Sequence, residues 1–352
     1  MPLNNTVKEK ISVEVIKTLV TRFDSFPEDA SNNRNAPFHE AFLQAFSDKL
    51  KGKVSDTPFF ISLSSWLQGL NTTLGQSFFE NVAHHLCNGE KREYTSRKKG
   101  NLQITQTQKN AVNQIITTLS NSGGRPDLDG ENRKVFNSDN SLLVNAIDFS
   151  ADVFYENDDS VIAIELKSVK PNSGEMRGEK QKILEGKAAL YREFPNKKIY
   201  FYIGFPFDPT VNPADEAVTS YDKRRFLDSI INMNKFFACE ETLVASELWD
   251  FLSGEENTME EIIGIINTIS TTEFLNKLRL IGDNSKRNTS EYIAQLNEWN
   301  LFSEKKLIEN DAVIRKQIKN DVGLTRTYNK KALNSHGDYN WERYSTLERL
   351  IP

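Results

Sequence analysis

A short hairpin pattern near the middle of the chain constrains the fold more than any other feature of the sequence. Two runs rich in β-branched and aromatic residues, 152–156 and 161–167, are separated by the turn-forming residues Asn157 to Ser160. Residues two apart on a strand share a face, so Glu165 and Lys167 point the same way while the apolar residues around them point the other way. The pattern predicts a β-hairpin with one apolar face and one face that carries charged groups.

The register of this hairpin brings two carboxylates together. With the turn centred on residues 158–159, antiparallel pairing sets Phe154 against Ala163. The same register sets Asp152 against Glu165, and a shift of one residue would turn a whole strand's side chains to the opposite face. Directly opposed residues have Cβ atoms roughly 4.5–5.5 Å apart, and like charges at that distance destabilise the sheet. A bound cation removes this penalty.

The chemistry of such a site suits a hard divalent cation. Carboxylate oxygens with few other protein ligands favour Mg²⁺, which keeps several of its waters. Lys167, beside Glu165 on the same face, is then placed to orient an attacking water or to stabilise charge on a phosphate. A simpler alternative is a surface ion pair between these two residues, worth under about 1 kcal/mol. The opposed Asp152 and the apolar reverse face favour the catalytic interpretation.

A further carboxylate, Glu80, lies on a predicted amphipathic helix. The apolar face of this helix consists of Phe78, Phe79, Val82, Ala83 and Leu86. Glu80 falls on or beside that face, where a charge without a partner is costly. Two interpretations stay open: Glu80 caps the helix or pairs locally, or the helix packs beside the hairpin and adds Glu80 to the metal site.

The composition is that of a globular protein with room for one large or two ordinary domains. Of the 352 residues, 38% are hydrophobic and 26% are charged. No apolar run approaches the roughly 18 residues of a membrane span, and the first residues lack an apolar signal segment. Cys87 and Cys239 are too few for a zinc cluster or a disulfide framework. These features predict a cytoplasmic location.

The charge pattern bears on nucleic-acid binding. A net charge of −5 argues against nonspecific binding by the whole surface but not against a local basic cleft. Basic residues cluster within 91–99, 167–187 and 315–331, and each cluster fits either a phosphate track or a solvated face. The middle cluster flanks the hairpin, so it supplies the predicted DNA contacts. These are Lys170, Lys180, Gln181 and Lys182.

The order of predicted elements indicates an α/β fold. After the hairpin the sequence predicts a helix over 175–193 and a strand over 198–203, which can lie parallel to the Glu165 strand through a right-handed crossover. Upstream, the polar stretch 87–140 predicts a single helix over 108–119, and from residue 221 onward the pattern is mostly helical. No glycine-rich segment has the spacing of a nucleotide-binding P-loop.

The hairpin motif resembles the active-site hairpin of the PD-(D/E)xK nucleases. The shared pattern is Asp152, a turn and then Glu165-x-Lys167, with Ala151 where the motif's proline would stand, a position that is not a ligand. A literal Pro126-Asp127 lies in a turn-rich stretch far from any predicted strand and is treated as unrelated. The resemblance implies a restriction-endonuclease-like core, a mixed β-sheet flanked by helices, with additional helical regions.

Longer segments resemble the TdeIII-like type II restriction endonucleases over roughly the first two-thirds of the chain. The similar segments are 34–43, 70–80, 152–154 and 165–172. The resemblance implies Mg²⁺-dependent cleavage of double-stranded DNA at GGNCC-type sites. It also implies a homodimer, because a palindromic site mirrors a two-fold axis, and a cognate DNA methyltransferase that protects host DNA without direct contact. It places metal ligation on Asp152 and Glu165 and catalysis on Lys167, with Glu80 in support.

The resemblance also suggests a division of the chain and leaves two other functions open. The predicted regions are a helical region over 1–60, a nuclease core over 61–215, and a mainly helical region over 216–352 for DNA recognition, dimerisation or both. One alternative is a repair or structure-selective nuclease with the same site, which would prefer junctions or flaps to linear duplex. The other is a catalytically silent DNA-binding module, in which Lys167→Ala would change nothing measurable.

Overall fold

The chain divides into two compact units. The computed structural model describes residues 2–28, 37–54, 56–121, 124–167 and 175–352. The first unit, here called the sheet unit, consists of Met1–Leu3 and Phe79–Ile262; the second, the helical unit, consists of Asn4–Phe78 and Ile263–Pro352. The units divide at other positions than the regions predicted from the sequence, and the functional division into those regions stays a prediction.

The strands of the sheet unit form one mixed sheet and one small ribbon. In the described residues they are β1 (Glu90–Tyr94), β2 (Gln103–Thr105), β3 (Leu143–Asn145), β4 (Phe149–Glu156), β5 (Ser160–Leu166), β6 (Lys198–Phe205) and β7 (Thr242–Val244). The main sheet has the order β1-β4-β5-β6-β7 and β2 pairs with β3. Pairing is antiparallel from β1 to β5 and parallel from β5 to β7. This mixed sheet with flanking helices confirms the predicted fold class.

Eighteen α-helices account for most of the remaining regular structure in the described residues. They are α1 (Asn5–Asp24), α2 (Pro37–Gln44), α3 (Ser47–Leu50), α4 (Thr57–Thr73), α5 (Phe79–Cys87), α6 (Gln106–Ser120), α7 (Leu128–Val135), α8 (Glu175–Glu193), α9 (Lys223–Asp228), α10 (Met233–Phe236), α11 (Ser246–Ser253), α12 (Thr258–Ile269), α13 (Phe274–Ile281), α14 (Ser290–Glu298), α15 (Phe302–Glu309), α16 (Asp311–Ile318), α17 (Val322–Asn329) and α18 (Trp341–Glu348). Over the part of the chain that is described, no helix is both long and apolar enough to cross a membrane.

The β4–β5 hairpin has the register predicted from the sequence. Phe154 pairs with Ala163. The side chain of Asn157 accepts hydrogen bonds from the backbone N–H groups of Asp159 and Ser160, at 3.0 and 2.8 Å. An asparagine side chain that binds backbone groups two and three residues on is a turn-forming arrangement. The turn is thus fixed locally, and with it the pairing of the two strands.

Helices cover both faces of the sheet at β5 and its neighbour β6. Every residue from Ser160 to Glu165 is buried, which is typical of a strand with parallel neighbours inside an α/β fold. On one face α8 approaches closely at Gly186, where a Cβ atom would lie 2.7 Å from the ring of Phe201. On the other face Gly204 of β6 lies beside Leu248 of α11. The charged groups are therefore confined to the end of the strand rather than spread along one face.

Two elements before the hairpin differ from the prediction. The charged segment Glu90–Tyr94, predicted as part of a polar connection, is the edge strand β1 paired with β4. Its only buried residue is Tyr94, so it lacks the apolar alternation by which strands are recognised. The turn-rich stretch around Pro126-Asp127 opens helix α7, because the Asp127 side chain accepts the backbone N–H of Gly130 as an N-cap.

Candidate active site

Asp152 and Glu165 lie at the same end of the β4–β5 hairpin. Both side chains are buried, and Asp152 Oδ2 accepts the backbone N–H of Leu166 at 2.9 Å. This hydrogen bond ties the aspartate of one strand to the backbone of the other. One oxygen of Glu165, Oε2, is buried and has no hydrogen-bond partner in the described residues. An unpartnered carboxylate oxygen beside a second carboxylate is a suitable donor for a hard cation.

Lys167 follows directly after β5 and is held from two directions. Its backbone N–H donates to the carbonyl oxygen of Gly204 at 2.8 Å, which continues the pairing with β6. Its ammonium lies 3.3 Å from Glu165 Oε1 and 2.9 Å from Glu179 Oε1 of α8. Burial alone lowers the pKa of Lys167, but the charges of Glu165 and Glu179 outweigh it and the pKa is raised. Lys167 is therefore a fixed cation at neutral pH.

Lys182 and Gln181, two of the residues predicted to contact DNA, each contact glutamate side chains of the protein. Lys182 is part of the site: its ammonium lies 2.7 Å from Glu165 Oε1 and 3.1 Å from Glu179 Oε2. Gln181 donates to Glu185 on the same helix at 3.1 Å. Lys170 lies outside the described residues.

Lys180 does not reach solvent. Its side chain has no exposed surface and forms ion pairs with Glu131 and Glu241, and Lys187 also contacts Glu241 at 3.1 Å. The prediction that Lys180 contacts DNA is corrected for a physical reason. In a helix packed against the sheet, the residues on the inner face are buried whatever their charge, and buried charges are paired. Lys180 is a structural ion-pairing residue.

Glu80 is brought to the hairpin by helix α5. His84 of this helix donates from Nε2 to the carbonyl oxygen of Asp152 at 2.7 Å, which joins α5 to β4. Both oxygens of Glu80 lie 3.1 Å from the ammonium of Lys91 on β1. The same ammonium lies 2.9 Å from Asp152 Oδ1. Glu80 thus has a local partner, and that partner connects it to the carboxylate of the hairpin.

The carboxylates of the site oppose one another electrostatically. The pKa of Glu80 and the pKa of Glu165 are both raised, chiefly because burial disfavours the charged form and further because of the charge of Asp152. Burial also opposes the charge of Lys91, but its ion pairs outweigh this and raise its pKa to about 12. In the described ranges no group of three or more His, Cys, Asp or Glu side chains is arranged to hold a metal ion. Lysine ammonium groups lie between the carboxylates instead.

The sequence reasoning missed three residues of this arrangement. Lys91 belongs to the basic cluster within 91–99, but four of the five residues of β1 are charged and nothing in that pattern connects Lys91 with the hairpin. His84 on α5 is set against β4 only by tertiary packing. Glu179 stands one helical turn before Lys182, and an acid and a base at that spacing on one helix face are the signal that would have indicated it.

Comparison with known proteins agrees with this architecture. Residues 3–270 match the family described as "Type II restriction endonuclease, HinfI". The chain is also 42% identical over 371 aligned positions to the type II restriction enzyme MjaII of Methanocaldococcus jannaschii, with 99% of this chain and 98% of the relative covered. These matches favour the predicted restriction endonuclease over a repair nuclease or a silent binding module. The chain belongs to the HinfI family of type II restriction endonucleases and is a site-specific deoxyribonuclease.

Proposed function

We propose that the protein cleaves double-stranded DNA by Mg²⁺-dependent hydrolysis of phosphodiester bonds at a short palindromic site. The observation that carries this proposal is the convergence of Asp152, Glu165 and Lys167 at one end of the hairpin, with Glu80 joined to Asp152 through Lys91. Two buried carboxylates, one of them with an unpartnered oxygen, can hold a metal ion, and a fixed cation can stabilise charge on a phosphate.

Carboxylate oxygens such as those of Asp152 and Glu165 are the ligands that magnesium prefers. Asp152 and Glu165 would hold it through carboxylate oxygens, with Glu80 in support from α5. Mg²⁺ held there would supply a more acidic water and positive charge beside the phosphate. Burial and the charge of Asp152 raise the pKa of Glu80 and the pKa of Glu165, and a cation held between these carboxylates would offset both effects.

Lys167 acts through its positive charge and its N–H groups. Because its pKa is raised, it is protonated at neutral pH and does not serve as the base that removes a proton from water. We assign it to a hydrogen bond with a phosphate oxygen, where charge accumulates as water attacks phosphorus. Lys182 contacts the same oxygen of Glu165. Of the lysines predicted to contact DNA, we retain Lys182 and assign it to the same phosphate group.

The proposal includes a homodimeric assembly and a palindromic recognition site. A homodimer reads a palindromic sequence through its two-fold axis, and resemblance to the TdeIII-like enzymes suggests a GGNCC-type site. Host DNA then requires protection by a cognate methyltransferase, and the protein acts on DNA in the cytoplasm.

Digestion of a plasmid of known sequence tests the proposal. Purified protein with Mg²⁺ is expected to give discrete fragments whose sequenced ends share one short palindrome, and neither EDTA-treated protein nor the Lys167→Ala variant is expected to give them. The plasmid is prepared without host methylation so that protected sites do not hide activity. Discrete fragments that persist in EDTA would contradict the assigned metal dependence, and ends that share a sequence other than GGNCC would contradict that part alone.

A further inference from the structure

Lys91 lies at an irregularity in the pairing of β1 with β4. Glu90 pairs with Phe154 but Arg92 pairs with Ala151, so a step of two residues on β1 matches a step of three on β4. The extra residue lies in the part of β4 that contains the aspartate of the hairpin. A β-bulge re-aims the neighbouring side chains and is frequent beside active sites. The bulge therefore offers a reason why a side chain of the edge strand reaches the carboxylates.

The ammonium of Lys91 is surrounded by carboxylate oxygens that could bind a metal ion in its place. Three carboxylate oxygens surround it, Asp152 Oδ1 at 2.9 Å and the two oxygens of Glu80 at 3.1 Å. The side chain of Lys91 is 39% exposed, whereas those of Glu80 and Asp152 are 12% and 11% exposed. The lysine thus reaches two nearly buried carboxylates from the solvent side. Its position is that of a counter-ion which buried carboxylates require.

Lys91 differs in one respect from the other two lysines of the site. Lys167 and Lys182 each contact Glu179 in addition to Glu165, so both keep an acidic partner when Glu165 is occupied elsewhere. In the described residues the ion pairs of Lys91 involve only Glu80 and Asp152. Both of these belong to the proposed metal shell. A cation that binds there competes with Lys91 for the same oxygens, and the side chain of Lys91 is exposed enough to move away into solvent.

We infer that Lys91 is an exchangeable counter-ion. Its ammonium neutralises Glu80 and Asp152 until a divalent cation takes its place, so that metal binding and the Lys91 ion pairs exclude one another. The inference rests on the proposed metal site. Lys91 is a positioning residue, since it acts on the two carboxylates and not on DNA. It weakens metal binding and, in return, prevents the two carboxylates from repelling each other when no divalent cation is bound.

The first test measures metal binding directly. Mn²⁺, which carboxylate and water ligands also suit, is titrated into the DNA-free protein while the free ion is followed by electron paramagnetic resonance. Lys91→Met keeps the stem of the side chain without its charge and is expected to bind Mn²⁺ about tenfold more tightly than the wild type. Lys98→Met is the matched control, because among the described residues the ion pair of Lys98 is an exposed one with Glu93, at 3.5 Å. The Mn²⁺ affinity of this variant should equal that of the wild type.

The second test compares thermal unfolding with and without metal. In EDTA, Lys91→Met should unfold about 3 °C below the wild type because the carboxylates lose their counter-ion. In saturating Mn²⁺ the two midpoints should coincide. Mn²⁺ affinity in Lys91→Met that is equal to or weaker than in the wild type would overturn the inference, as would a deficit of the same size in both conditions.

An aspartate variant separates this inference from the proposed function. If Asp152→Asn reduces Mn²⁺ binding but Lys91→Met leaves it unchanged, the proposed metal site is supported. The inference that the metal ion replaces the Lys91 ammonium is then wrong. If Asp152→Asn leaves Mn²⁺ binding unchanged, the metal site itself is wrong and the inference falls with it.

Discussion

The carboxylate of Glu179 lies 2.9 Å from the ammonium of Lys167. The lysine that follows the hairpin is therefore oriented by a helix, α8, as well as by its own strand. The other oxygen of Glu179 contacts a second lysine of the same helix, so one carboxylate fixes two cations at the site. This relationship leads to the first of five predictions.

Glu179→Gln should slow cleavage by about 10- to 100-fold, because a neutral partner no longer fixes the ammonium of Lys167. The measurement is the single-turnover rate of plasmid cleavage at saturating enzyme and Mg²⁺. Glu175→Gln is the matched control, since Glu175 also contacts Lys167, at 3.4 Å, but has a more exposed side chain. It should stay within about threefold of the wild type. Equal losses in both variants would show that Glu179 has no special role in orienting Lys167.

Asp152→Ala and Glu165→Ala should each reduce the single-turnover rate by about a thousandfold or more, because groups that bind the metal contribute several kcal/mol to transition-state stabilisation. Binding to duplex DNA in Ca²⁺ should persist. Glu156→Ala, at the other end of the same hairpin with an exposed ion pair to Lys197, should leave the rate unchanged. Loss of folding in both aspartate and glutamate variants would instead indicate structural roles.

Glu80→Ala should reduce the rate less than Asp152→Ala does. In the described ranges Glu80 is linked to Asp152 through Lys91, which contacts both carboxylates. A wild-type rate for Glu80→Ala would remove this residue from the site.

The stability of the metal-free protein should depend on the ionisation of Glu165. Its pKa is raised in the folded state, mainly by burial and then by Asp152. A raised carboxyl pKa contributes stability that is fully present below the unfolded-state pKa and is lost as the pH rises through the folded-state pKa. In EDTA, Glu165→Gln should therefore be more stable than the wild type at pH 8, and this difference should disappear toward pH 4.

Urea unfolding across this pH range measures the difference directly. The carboxylate of Glu156 is exposed, so the difference in stability between Glu156→Gln and the wild type should not change with pH in this way. A Glu165→Gln variant that is less stable than the wild type at pH 8 would mean that the ion pairs with Lys167 and Lys182 outweigh the burial of the charge.

Lys180→Met should destabilise the fold by about 3–5 kcal/mol, because it leaves the buried carboxylates of Glu131 and Glu241 without one of their partners. The cleavage rate of the folded protein and the salt dependence of DNA binding should not change. Lys182→Met, two residues further along α8, should have the opposite profile, with slower cleavage and little change in the free energy of unfolding. If the Lys180→Met variant is fully folded and still binds DNA more weakly than the wild type, Lys180 contacts DNA after all.

Local signals account for what the sequence predicted. The register of the hairpin follows from strand alternation and from a turn closed by the side chain of Asn157, both of which are encoded within a few residues. The α/β fold class could be predicted for the same reason, since the hairpin and the next helix and strand lie close together in the chain. The class of enzyme, which the family match confirmed, was predicted from the resemblance of that same hairpin.

The features that could not be predicted from the sequence depend on contacts between distant segments of the chain. The ion pair between Lys91 and Asp152 joins residues 61 positions apart, and no periodicity in a strand of charged residues indicates it. Lys180 and Lys182 look alike in the sequence, and only the packing of α8 against the rest of the sheet unit decides that one is buried and the other lies at the site.

The charged edge strand has a consequence for association between molecules. An edge strand presents unpaired backbone groups to which a strand of another chain can add, and charged side chains hinder such addition. Four of the five residues of β1, Glu90, Lys91, Arg92 and Glu93, are charged. The strand that supplies a lysine to the carboxylates is thus also a poor template for aggregation, so that the open edge of the main sheet is protected against growth into larger assemblies.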